Sequence, residues 1–162
     1  MIDKVRKLDR YYIPTRYPNA WPALPPHKHY SKDDAEEALK TAVGVVEIVK
    51  RGLREVLKGT SVEDLIKPLE DLLRSIVEEL RPTKIFITGS LARKEFVRGL
   101  SDIDILVVVD YEVPSGKRFM LASVGGVDVE ITVVSRYELE KALDEGREFY
   151  VDAVRYGVEV FP

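Results

Sequence analysis

GSLARKEFVRGLSDIDILVVVD, residues 89–110, sets a small-residue turn and basic side chains ahead of two carboxylates at the mouth of an apolar strand. Ile103 to Val109 is almost entirely Ile, Leu and Val, a composition suited to a strand buried on both faces. Asp102 and Asp104 stand two residues apart, so on a strand both carboxylates leave the same face. Bare carboxylates that close repel, and one has its pKa raised unless a cation intervenes. Hard oxygen ligands gathered on one face are what Mg²⁺ uses together with substrate phosphates.

The stretch before it, KIFIT (84–88), reads as a short buried strand. Gly89-Ser90 then offers backbone N–H groups and a hydroxyl to a phosphate, and Arg93 and Lys94 add positive charge one turn on. Further along, GGVDVEITVV (125–134) alternates. Val127, Val129, Ile131 and Val133 share one face, and Asp128, Glu130, Thr132 and Val134 the other. A third carboxylate is therefore available from Glu130 or Asp128. A phosphate cradle facing three carboxylates suits the transfer of a phosphoryl or nucleotidyl group.

Upstream, the chain has a different character. Residues 1–30 hold half of the tyrosines, the only Trp, both His and most of the prolines. PTRYPNAWPALPPHKHY can hold neither a long helix nor a central strand, because its prolines remove donors and clash with a helical turn. It reads as an ordered loop or arm. Its His27 and His29 have no nearby companion ligand, and its tyrosines read as packing residues.

Ser31 looks like an N-cap, with Asp33 and Asp34 in the first turn. Ala35, Ala38, Leu39, Ala42, Val45, Val46, Val49 and Leu53 then follow helical spacing to about Leu57. A second helix is expected from Thr60 or Ser61 to Leu80, with Pro68 causing a kink or a short first turn. RFMLAS (118–123) fits strand or helix. Ser135 with Glu138 is a capping-box signature for a helix to about Glu145, followed by an amphipathic piece and a VEVF tail. The fold class is therefore α/β (α+β): a mixed sheet flanked by helices, with an N-terminal helical extension. The expected division is residues 1–58 and 59–162.

The 162 residues are 45% hydrophobic and 33% charged, as in a soluble globular protein, and no run is long enough to cross a bilayer. A net charge of −3 gives no overall drive toward nucleic acid or anionic membranes. With no cysteine, disulfides, thiolate metal sites and cysteine nucleophiles are excluded. MIDKVRKLDRYY lacks the apolar core of a signal peptide, so the cytoplasm is the expected location. Abundant Lys, Glu and Arg with a single Asn and no Gln suggests a hot-living source.

Taken in order, GSLAR, a spacer, SDIDIL and an acid on an alternating strand resemble the nucleotidyltransferase superfamily that includes DNA polymerase β. The resemblance is strongest to the minimal nucleotidyltransferases of archaea and bacteria and covers residues 83 to 160. It implies that Gly89, Ser90, Arg93 and Ser101 hold the nucleotide, while Asp102 and Asp104 bind Mg²⁺ and ATP. The family's third acid sits between two hydrophobic residues. Val129-Glu130-Ile131 fits that triplet better than Val127-Asp128-Val129, so Glu130 is the expected third ligand and Asp128 the alternative. Lys94 departs from the pattern, since the family usually has Gly there.

YYIPTRYPNAWP with HYSKDDAEEALKTAVGVVEIV is similar to the closing third of a HEPN domain, through Arg16-Tyr17-Pro18 and the Asp34-Ala35-x-x-Ala38 helix start. The earlier HEPN helices and an Arg-x4-6-His RNase motif are not found, so no RNase activity is carried over. The resemblances imply an ATP- and Mg²⁺-dependent enzyme of the EC 2.7.7 type, with two metal ions, that moves a nucleoside monophosphate to a hydroxyl. A HEPN-partner tyrosine, or an arm tyrosine such as Tyr30, is one acceptor they suggest. A HEPN-domain protein and a second copy of the chain are the expected partners; membrane and nucleic acid are not. The competing readings are a catalytically weak, antitoxin-like nucleotide-binding partner of a HEPN protein, and an enzyme modifying a small molecule such as an aminoglycoside.

Overall fold

A computed structural model describes residues 8, 11, 15 and 28–161. The expectations for Arg16, Tyr17, Pro18, His27 and most of the proline-rich arm lie outside the described residues. The chain divides into two units, 1–48 and 49–162. Helix α1 (Lys32–Leu57) begins in the first and ends in the second.

In the first unit, Ser31 caps α1 as its sequence suggests. Its hydroxyl accepts from the Asp34 N–H at 3.1 Å, and the Asp34 carboxylate accepts from the Ser31 N–H at 2.9 Å. This reciprocal pair satisfies donors that the first helical turn leaves without partners. Leu39, Val43 and Val46 of the same helix remain exposed. The Tyr11 and Tyr30 rings pack together with centroids 5.3 Å apart.

The second unit is built on a five-stranded mixed sheet in the order β3-β4-β2-β1-β5. Its strands are β1 (Lys84–Thr88), β2 (Ile103–Val109), β3 (Phe119–Val124), β4 (Val127–Ser135) and β5 (Val158–Phe161). β2 and β4 pair in parallel, and every other neighbour is antiparallel. Helix α2 (Ile66–Leu80) precedes the sheet, a single turn α3 (Gly89–Ala92) follows β1, and α4 (Arg136–Asp144) and α5 (Glu148–Tyr156) lie between β4 and β5.

Alternation assigns the two faces. Ile85, Ile87, Ile103, Ile105, Val107, Val129, Ile131 and Val133 form one buried layer. Leu53 and Leu57 at the end of α1, and Leu69 and Leu73 of α2, are buried as well. The other face divides along its length. One end packs Phe86, Leu106, Val108 and Val134 against Leu139 of α4 and Ala153 of α5. The other end holds the half-buried carboxylates Asp104 and Glu130.

Local expectations are met at Ser135, whose hydroxyl accepts from the Glu138 N–H at 3.2 Å while the Glu138 carboxylate accepts from the Ser135 N–H at 3.2 Å. Two others change. Glu63–Leu65 forms only a 3₁₀ turn, and the α-helix expected from Thr60 starts at Ile66. Pro68 thus falls in its first turn, where a missing N–H costs nothing. RFMLAS resolves as edge strand β3, and VEVF as the opposite edge, β5.

Candidate active site

Register brings the site together. Thr88 of β1 lies opposite Asp104 of β2, Asp104 opposite Glu130 of β4, and Glu130 opposite Leu121 of β3. Asp102 lies just ahead of β2 and is exposed, whereas Asp104 and Glu130 are half-buried. Asp128 shares Glu130's face but sits one pleat further along, opposite Ser123 of β3, and is exposed. Strand pairing therefore puts Glu130, and not Asp128, abreast of Asp104.

The Asp104 carboxyl is held above the usual carboxylate range, first by its partial burial, then by the negative charges of Glu130 and Asp102. Arg93 opposes this without reversing it. The protein's own cations thus leave the cluster under-neutralised.

Gly89 is shaped by the same carboxylate. Its φ is +62°, and a Cβ there would collide with Oδ2 of Asp104, far inside the 3.0 Å that real Cβ atoms keep. Glycine is thus required twice, for the left-handed backbone and for the close approach. The turn it opens is short. Arg93 N–H donates to Gly89 O at 3.3 Å, Lys94 N–H to Leu91 O at 3.2 Å and Glu95 N–H to Ser90 O at 2.8 Å. Ser90 is half-buried at the head of this turn, which directly follows β1, the strand paired with Asp104.

Arg93 reaches sideways as well, its Nη1 donating to Asp152 of α5 at 3.2 Å and its Nε lying 3.5 Å from Glu95. Ser101 is a loop former here, since its hydroxyl accepts from the Val97 N–H at 3.2 Å while its own N–H donates to Val97 O at 2.9 Å. Lys94 adopts φ +63°, a left-handed conformation that glycine takes freely and other residues rarely do. A side chain in that region costs about 1–2 kcal/mol.

Among the described residues, no three His, Cys, Asp or Glu side chains are grouped so that they could hold a metal ion by themselves. The donor set still suits Mg²⁺: it is all hard oxygen, it is under-neutralised, and it lies open at one end of a sheet. Mg²⁺ in such sites takes one or two carboxylates and completes its shell with substrate phosphates and water. A cavity of about 600 Å³ lined by Asp110, Tyr111, Arg136 and Tyr137 lies elsewhere, at the carboxyl ends of β2 and β4. It shares none of the carboxylate row.

Three participants carry no sequence signal strong enough to find them. Thr88 is buried, with its hydroxyl 3.5 Å from the Asp104 carbonyl. Asp152 holds Arg93 from a helix far along the chain. Leu121 stands exposed beside Glu130.

Residues 69–161, more than half of the chain, match the nucleotidyltransferase domain family. The protein belongs to that family. Residues 1–53 match the HEPN domain. A protein of Methanocaldococcus jannaschii named "Putative toxin MJ1304" is 37% identical over 57 residues, which is 34% of this chain and 38% of that protein. The chain thus spans well under half the length of that relative. Among the described residues, no helix is long and apolar enough to cross a membrane.

Proposed function

We propose that the protein transfers a nucleoside monophosphate from ATP to a hydroxyl acceptor, with Mg²⁺, and releases pyrophosphate. The observation that carries this reading is the row Thr88–Asp104–Glu130, formed by strand register beside the Gly89-Ser90 turn. Asp102 and Asp104 would hold two metal ions, with Glu130 completing the set. Bound there, the ions would neutralise the triphosphate and lower the pKa of the attacking hydroxyl.

The chain's residues divide the remaining tasks. The N–H groups and hydroxyl of Gly89 and Ser90 orient the phosphates, with Arg93 adding charge and Ser101 fixing the loop that leads to Asp102. Glu130 takes the acceptor proton as the acceptor oxygen forms its bond to the α-phosphorus. The bond from that phosphorus to the bridging oxygen breaks, and pyrophosphate leaves with the electron pair. Leu121 and Phe119, 71% and 53% exposed on the Glu130 side, give the acceptor an apolar surface to lie against.

The HEPN match and the toxin name of the partial relative favour a toxin–antitoxin setting, with a HEPN protein as partner and one of its tyrosines as acceptor. The second reading, a catalytically weak, antitoxin-like nucleotide-binding partner of a HEPN protein, draws on Lys94 and on the short N-terminal HEPN-like region; at Lys94 the backbone takes φ +63°, a conformation glycine adopts freely. Incubation with α-labelled ATP, Mg²⁺ and a lysate tests the proposal. Label is expected on a protein or small-molecule hydroxyl, and none with Asp104→Asn. Equal labelling by that variant would sink the assignment.

A further inference from the structure

Of the basic residues in the 89–110 stretch, Arg93 pairs with Asp152 and Glu95, and Arg98 with Asp64, whereas the Lys94 side chain goes to backbone. Its Nζ donates to three backbone carbonyls, Glu55 O and Val56 O at 2.6 Å each and Lys58 O at 3.1 Å. All three lie at the end of α1, where a helix runs out of its own N–H groups. The accounting there closes. Arg54 O takes the Lys58 N–H at 2.9 Å, and Leu57 O takes the Thr60 N–H at 3.0 Å. The carbonyls left over around them are those that Lys94 covers. A cation in this place also opposes the negative end of the helix.

The backbone of Lys94 closes the turn that starts at Gly89, through the three hydrogen bonds from Arg93, Lys94 and Glu95 back to Gly89, Leu91 and Ser90. Glycine would take φ +63° without strain but would leave the helix end uncovered. A strained lysine kept at that position is accounted for by what its ammonium holds.

The geometry points to Lys94 as a positioning residue that clamps the Gly89–Ala92 turn to the C-terminus of α1, so that a nucleoside triphosphate bound on the turn and order at the helix end stabilise one another. The clamp itself stands on the hydrogen bonds alone; its link to nucleotide rests on the proposed function. Linkage of this kind is reciprocal.

Hydrogen exchange on the full chain separates the two halves of the inference. Without nucleotide, Lys94→Met should speed exchange of the Lys58 and Thr60 amides, and of the Arg93 and Glu95 amides, roughly ten-fold. Lys94→Gly should do the same at Lys58 and Thr60 despite its relaxed backbone, and serves if the methionine variant does not fold. Unchanged exchange at the helix end in either variant overturns the clamp. With Mg²⁺ and ATP, the wild-type Lys58 and Thr60 amides should slow several-fold, and the Lys94 variants should lose that response. ATP binding that leaves those wild-type amides unmoved overturns the link. Failure of the wild type to bind ATP at all overturns the nucleotide reading instead, and the clamp is then judged by the nucleotide-free measurements.

Discussion

Gly89→Ala should damage the chemistry far more than the fold. The new methyl meets Asp104 Oδ2 more than about 1 Å inside the 3.4 Å at which ordinary contact begins, with Cγ at 3.0 Å behind it. Either the carboxylate rotates away or the turn lifts from the strand, and both spoil the spacing between phosphates and metal ligands. A displacement of about 1 Å in a positioned group costs on the order of 100-fold in turnover. The backbone adds a separate penalty, since alanine at φ +62° costs about 1–2 kcal/mol. In a chain of this size that lowers Tm by about 2–8 °C. Gly146→Ala is the matched control, because φ is +68° there and nothing lies within 4 Å of the added carbon. Both variants should melt lower, Gly89→Ala by at least as much as Gly146→Ala because it adds the clash, measured by circular dichroism. Only Gly89→Ala should lose acceptor labelling from α-labelled ATP. If it labels within a few-fold of Gly146→Ala, the close approach of Gly89 to Asp104 is not what sets the site.

The other substitutions probe charge, register and capping. Asp104→Asn should abolish labelling and raise stability at neutral pH. The folded carboxyl titrates above the usual range, so ionising it costs stability as pH rises from about 4 through its folded pKa. The Tm advantage of Asn over Asp should therefore be least near pH 4 and fullest at neutral pH; an advantage that shrinks as pH rises would contradict the cause assigned to it. Mg²⁺ should raise the wild-type Tm and leave that of Asp104→Asn unmoved. Glu130→Gln should lose labelling about as fully as Asp104→Asn, whereas Asp128→Asn should keep most of it; the reverse ranking would move the third acid to Asp128. Ser135→Ala removes the capping box of α4 and should cost about 1 kcal/mol, or about 2–4 °C, with labelling retained.

The core of the fold could be read from the chain because its strongest signals are local. Ile103–Val109 has nowhere to go but a buried strand, and Ser135 with Glu138 marks a helix start through a bond between near neighbours. β3 was ambiguous for a physical reason: Phe119, Met120, Leu121 and Ala122 are apolar in succession, so no contrast between faces exists to set a period. The burial pattern shows why. Phe119 and Leu121 are exposed on the carboxylate face, where composition would have buried them. The candidate site divides in the same way. That Asp102 and Asp104 lie close together at the start of β2 follows from spacing within SDIDIL. The choice between Glu130 and Asp128 depends on how β4 registers with β2, a relation between segments about 25 residues apart that spacing alone does not encode. Lys94 is the extreme case, since neither its φ nor the three carbonyls it reaches leave a trace in the local sequence.

The parallel pairing of β2 and β4 has a consequence for how such a protein can change. Asp104 and Glu130 are held side by side by seven consecutive paired positions, from Ile103 with Val129 to Val109 with Ser135. The chain between those strands passes through the exposed 3₁₀ turn Ser115–Lys117 and edge strand β3 before it returns. That excursion borders Glu130 but does not set its distance from Asp104. Residues can be gained or lost around Ser115–Lys117, and the apolar edge at Phe119 and Leu121 rewritten, while the carboxylates keep their places. The spacing of the two carboxylates and the apolar edge beside them are thus separately adjustable, so under the proposed function new acceptors could be tried without disturbing the carboxylate row.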